Sequence, residues 1–151
     1  MPDFQVAVGI AAPAARVWAV LVDVERWPYW TLTVLDAKRL DAGPFTVGSR
    51  TRILQPKLRP AVWQVTELDE ARGLFTWVAR NPGVLVTARH LIEATGNTSR
   101  VTLLIKFSGW LGPLIARLVR KLNEQYVTTE AQSLKKRCEN RFSGLWNFAE
   151  I

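Results

Sequence analysis

His90 is the chain's one histidine. It falls in an alternating apolar run with Val84, Val86, Ala88 and Ile92. An imidazole gains and loses a proton near neutrality. On an apolar face it can hydrogen-bond a ligand carbonyl, or move a proton if a second group orients it. The sequence shows no orienting partner, so pocket lining without catalysis is the favoured expectation. Trp63 and Trp77 share the inward face of neighbouring strand patterns. Their rings would make a flat wall for an aromatic guest, or simply fill the core. Phe107, Leu122 and Tyr126 face the same space. The Tyr126 hydroxyl needs a partner if buried, and a ligand oxygen would serve. Trp27 is expected to anchor a corner in the core and Trp30 to edge the cavity mouth. Arg52 alternates with Thr51 and Ile53. Pointing inward, it would need a carboxylate or an anionic ligand; the outward reading is slightly favoured.

Other chemistries find no support. Ser108, His90 and Asp23 make a triad only on paper, because no nucleophile elbow surrounds the serine. Cys138 is the one cysteine, so no disulfide forms within the chain, and a reducing compartment is expected. One histidine and one cysteine do not make a zinc site. No loop has calcium or magnesium spacing, and no glycine-rich loop opens a helix. No metal and no cofactor are expected.

The elements that must position these residues follow from periodicity. Phe4, Val6, Val8 and Ile10 alternate as a strand. Pro13 suits a first helical turn, and Val17, Val20 and Leu21 share a face. That helix should stop between Asp23 and Pro28, since Pro28 disfavours helical geometry at Trp27. Strand patterns then recur at Leu32–Leu40, Val47–Gln55, Ala61–Leu68, around Phe75–Ala79, at Val84–Ile92 and at Val101–Phe107. Turns at 41–44, 69–73, 81–83 and 94–99 separate them. Without crossover helices between them, the strands should pair antiparallel. After Gly109 and Gly112-Pro113 the period changes. Leu114 to about Arg141 reads as one long helix, its stripe running through Ile115, Val119, Leu122, Tyr126, Leu134 and Cys138. Such a stripe must lie on the sheet.

The 151 residues form one domain, large enough for a core and an internal cavity. The formal charge of +7 raises nucleic acid or an anionic membrane as partners. The basic residues are dispersed, however, and no nucleic-acid motif accompanies them, which argues against nucleic acid. Phe4–Val22 lacks the basic start of a signal peptide and is interrupted by Arg16. The apolar stretch 101–119 is broken by Lys106, Gly109, Gly112, Pro113 and Arg117, so it is no membrane span. A soluble, cytoplasmic protein is expected. The tail, residues 144–151, carries Trp146 and Phe148. A flap, a dimer contact and a frayed end are all open for it, and a homodimer stays open with it.

The ordered set of motifs resembles the SRPBCC superfamily, START-like, and in particular the polyketide cyclase/dehydrase family. The residues that carry this are Ala12-Pro13 with Val17-Trp18, then Asp23, Trp27 and Trp30. Val47-Gly48-Ser49, Trp63-Gln-Val65-Thr-Glu67, Phe75-Thr-Trp77, Gly83 through His90, and Thr98 through Gly109 complete it. The likeness covers about residues 3–142. It implies an α+β helix-grip fold: a curved antiparallel sheet of about seven strands wrapped around a long C-terminal helix, with two short helices after the first strand. Residues 1–143 would form the ligand-binding domain and 144–151 a tail. It further implies a cavity for lipids, sterols, polyketides or similar molecules. Family members often place a polar group near Arg52, which keeps that residue among the pocket candidates.

Three functions follow as expectations. The first is a carrier or binder of a hydrophobic or aromatic small molecule, lipid-like or polyketide-like, through Trp30, Arg52, Trp63, Trp77, His90, Phe107, Leu122 and Tyr126. The second is a polyketide cyclase/aromatase-like enzyme in which His90, Tyr126 or Arg52 moves protons. The third is a protein-interaction module whose cavity is plugged and whose tail, Leu145–Phe148, meets a partner. An acid–base pair in the cavity favours the second; a filled cavity favours the third.

Overall fold

The computed structural model describes residues 3–140. Seven strands form one sheet: β1 (Phe4–Ile10), β2 (Asp36–Arg39), β3 (Arg50–Leu54), β4 (Ala61–Asp69), β5 (Leu74–Asn81), β6 (Val84–Thr95) and β7 (Thr98–Ser108). Their order is β1-β7-β6-β5-β4-β3-β2, and every pairing is antiparallel. This is the helix-grip order: the first strand crosses over to the last, and the rest is a meander. A bulge between Val65 and Glu67 shifts the register of β4, which bends the strand and deepens the sheet's curvature.

Two short helical segments make the crossover. α1 spans Ala14–Val22 with Pro13 as its N-cap, and a 3-10 helix runs from Val24 to Tyr29. Val17, Trp18 and Leu21 are the buried face of α1, while Val20 is only half-buried. Asp23, at φ −85° and ψ 67°, ends α1. Pro28 does not stop the chain's helical course; it sits inside the 3-10 helix. The reason is that 3-10 backbone φ matches the value a proline ring imposes.

The C-terminal rod is two helices rather than one. α2 spans Gly112–Leu118 and α3 spans Arg120–Glu139. Val119, at φ −102° and ψ 11°, takes bridge-region angles between them. The hydrogen bonds run on across the break, Val119 N–H to Ile115 and Asn123 N–H to Val119. The apolar stripe therefore continues unbroken, which is why periodicity reads one helix. The strands at 32–40 and 47–55 are also shorter than their sequence patterns, since residues 40–49 are a loop held by Arg39, Asp41 and Ser49.

The core lies between the sheet and the helices. Ile10, Val17, Leu21, Val24, Phe75, Val101, Ala131 and Leu134 are all buried in one cluster. Three polar ties fix α3 to the β1–α1 corner. Ala11 N–H donates to Glu139 (2.8 Å), Arg16 Nε to the Cys138 carbonyl (3.1 Å), and Lys135 Nζ to the Gly9 carbonyl (3.0 Å); within α3, Lys135 Nζ also donates to Glu139 (2.6 Å). The tail lies outside the described residues, and so does the 143/144 domain boundary.

Candidate ligand cavity

Between the concave sheet face, α2 and the first half of α3 lies a cavity of about 650 Å³. That volume is in the range of small-molecule sites. It is not plugged by side chains, which removes the filled-cavity condition of the interaction-module reading.

The walls follow from strand register. Trp63 pairs with Ala79 and Val65 with Trp77, so the two tryptophans are diagonal neighbours on one face. Their ring centroids are 5.7 Å apart with planes at 34°. Trp77 continues the wall to Trp27 (5.3 Å) and Phe75 (4.9 Å). Trp27 is fixed from behind: its indole N–H donates to the Leu21 carbonyl at 3.0 Å. Val84, Val86 and Ala88 of β6 and Ile105 and Phe107 of β7 complete the sheet side.

His90 stands at the closed end, 4% exposed. Its ring stacks on Phe75 at 4.6 Å and 19°. Nδ1 lies 3.0 Å from the Phe75 carbonyl. A carbonyl only accepts, so Nδ1 carries the hydrogen and donates it. Nε2 is thereby left to the cavity. Glu130 Oε1 lies 3.9 Å from Nε2, and among the described residues that oxygen is buried without a hydrogen-bond partner. The distance exceeds a direct hydrogen bond but leaves the two groups electrostatically coupled. A ligand hydroxyl in this corner can donate a hydrogen bond to Nε2 or to Oε1. A buried carboxylate oxygen with no partner is costly unless something supplies one.

The other end is open. Lys57, Leu58, Arg59, Pro60, Asn81 and Pro82 line it and are exposed. Tyr126 closes part of it, donating its hydroxyl to the Pro56 carbonyl. The protein itself supplies the partner that the sequence assigned to a ligand oxygen. Burial raises the Tyr126 pKa.

Six expected residues therefore line the cavity: Trp63, Trp77, His90, Phe107, Leu122 and Tyr126. Two do not. Arg52 lies on the outer face of β3, exposed between buried Thr51 and Ile53, and needs no counter-charge there. Trp30 packs behind Trp27 at 5.6 Å rather than at the mouth. Trp27 is the corner residue that reaches the cavity. The sequence reading also passed over Glu130, Gln55 and Asn123. Glu130 had a signal: the stripe steps from Tyr126 to Leu134, and position 130 is the skipped turn.

Cavity, sheet order and gripping helix together define a helix-grip fold with an open internal cavity. The chain belongs to the polyketide cyclase/dehydrase family of the SRPBCC superfamily; residues 1–139 match the family described as polyketide cyclase / dehydrase and lipid transport. No curated protein matches the sequence. Solved structures share the fold at low identity. The Zhui aromatase/cyclase of a Streptomyces species superimposes with TM-score 0.75 at 19% identity, covering 92% of this chain and 94% of that one. A Thermobifida fusca protein gives 0.74 at 20% identity, with 91% and 93% covered. Norcoclaurine synthase from Thalictrum flavum, solved with dopamine and hydroxybenzaldehyde, gives 0.69 at 14%, with 88% and 83% covered. Among the described residues, no helix is long and apolar enough to cross a membrane.

Proposed function

We propose that the cavity binds a flat, largely apolar small molecule, aromatic or polyketide-like, that carries at least one oxygen function. The observation that carries this reading is the open cavity of about 650 Å³ with a tryptophan wall and a single polar pair at its closed end. Trp63 and Trp77 would hold the rings of the guest, and His90 with Glu130 would hold its oxygen. A thermal-shift panel of polycyclic phenols, aromatic β-diketones and fatty acids tests it. At ligand concentrations well above dissociation constants, a binder raises stability by about 2.7 kcal/mol at a hundredfold excess. Ala88→Trp, which fills the space from β6, should abolish the shift while the protein stays folded. No shift with any class would reject the reading.

The His90–Glu130 pair favours a second reading, a cyclase/aromatase-like activity. Nε2 accepts a proton from a carbon between two carbonyls, and the imidazolium is stabilised by the Glu130 carboxylate. The resulting enolate carbon attacks a second carbonyl of the same chain and forms the C–C bond. The new alkoxide takes the proton back from Nε2, and loss of water then yields the ring alkene. No redox step or cofactor is required. His90→Gln keeps ring-sized bulk without the base. It should stop deuterium exchange at the acidic carbon of a bound β-diketone while leaving binding within a few fold. Unchanged exchange would reject catalysis and leave the binding proposal standing.

A further inference from the structure

The open end of the cavity carries more exposed apolar surface than lining it requires. Trp110 is 82% exposed, Leu118 70%, Leu114 53% and Leu58 38%. All four belong to segments that border the opening. Leu58 lines the opening together with Pro82. Trp110 lies against the neighbouring hairpin tip; its Cε2 is 3.1 Å from where a Cβ on Gly83 would stand. Leu114 and Leu118 are four residues apart, hence on one side of α2. Each directly precedes a cavity-lining residue, Ile115 or Val119. A cluster of exposed large side chains beside a pocket mouth marks an interaction surface.

The charge around them names the partner. Lys57 and Arg59 flank Leu58, and Lys121 lies one turn beyond Leu118; all three are exposed. Lys57 holds a left-handed backbone, φ 65°, at the third position of a turn closed by Leu58 N–H to the Gln55 carbonyl at 3.3 Å. That turn presents Leu58 outward between its two cations. The whole chain carries a net charge of +7. We propose that this rim docks on an anionic lipid surface. Leu58, Trp110, Leu114 and Leu118 enter the headgroup boundary, and Lys57, Arg59 and Lys121 meet acidic headgroups. Apolar area and basic charge act together in such binding, and an indole favours that boundary. The cavity opens on the same face, so an apolar guest can pass between bilayer and pocket without crossing water. Only that last step rests on the binding reading of the cavity; the docking does not.

Co-sedimentation of the full chain with phosphatidylcholine vesicles, with and without phosphatidylserine, tests the proposal. The chain should sediment with the anionic vesicles, poorly with the neutral ones, and less as salt rises. Trp110→Ser with Leu114→Ser and Leu118→Ser should weaken sedimentation roughly tenfold or more. Lys57→Gln with Arg59→Gln should reduce the preference for anionic vesicles several-fold. All these positions are exposed, so circular dichroism should show folded variants. Ala88→Trp, which blocks the cavity, should leave sedimentation unchanged, separating docking from guest binding. Absence of sedimentation with anionic vesicles overturns the proposal. So does a wild-type dimer that the triple serine variant loses, which assigns the rim to a second copy, or equal sedimentation of that variant.

Discussion

The two ends of the C-terminal helical layer carry the same apolar stripe and do opposite work. At the closed end, Ala131, Leu134 and Cys138 of α3 are fully buried. Lys135, Glu139 and the Cys138 carbonyl are bonded to the β1–α1 corner. At the open end, Ile115, Val119 and Leu122 are only half-buried and face empty space. One side-chain bond, Tyr126 to the Pro56 carbonyl, ties that end to the sheet's loops. Stripe residues that meet other side chains hold the fold, whereas those facing the cavity form its wall.

The sharpest way to break this comparison is to truncate one residue at each end. Leu134→Ala should cost about 2–5 kcal/mol, the range for a buried leucine in a well-packed core. Leu122→Ala should cost roughly 1 kcal/mol or less, because its removed atoms already face a void. Urea unfolding measures both, and equal losses would abolish the distinction. The β4–β5 turn gives the next largest effect. Gly73 has φ +66°, and a Cβ there would stand 2.2 Å from the Ile92 carbonyl oxygen. Gly73→Ala should therefore lose about 1–3 kcal/mol through strain and displaced backbone. Tyr126→Phe probes the open end alone. It should lose about 0.5–1.5 kcal/mol and speed guest release, read by stopped-flow displacement. Unaltered release would show that the Tyr126 tie does not gate the mouth.

The smallest effect is electrostatic and belongs to the closed end. The Ala11 backbone N–H, then the Lys135 ammonium, hold the Glu139 carboxyl below its ordinary value of 4.5. A depressed carboxyl stabilises the fold above its unfolded pKa, and that stability is lost as pH falls through the folded value. Denaturant midpoints should therefore drop between pH 5 and still more acidic solution, and Glu139→Gln should flatten part of that slope. Half-exposed charges are screened, so the change is modest. Burial, partly offset by Arg16, pushes the Cys138 thiol up to about 11. It should resist alkylation near neutral pH until α3 leaves the sheet.

Strand identity, antiparallel pairing and the inward faces of β5 and β6 were legible in the sequence, because side chains alternate with period two and one face is buried. Trp63, Trp77, His90 and Phe107 were placed by that rule alone. Helical periodicity placed Leu122 and Tyr126. The misplacements came where no period operates. Trp27 and Trp30 lie in and just after a 3-10 helix, whose three-residue repeat brings i and i+3 to one side; which of the two turns to the cavity depends on the Leu21 carbonyl anchoring Trp27. Arg52 is no such case: its outward orientation, slightly favoured in the sequence, is what strand parity gives for a β3 that starts at Arg50. Glu130 was hidden because a lone carboxylate in an apolar stripe reads as a gap. Its meaning comes from His90, forty residues earlier, and no spacing rule links a strand to a helix across a cavity.

Native mass spectrometry of the protein purified from its own host reads directly whether the cavity carries a guest. A reproducible small molecule of one mass is expected, bound one to one and absent from Ala88→Trp prepared in the same way. Repeated isolation of the empty protein, or the same mass retained by Ala88→Trp, would contradict it.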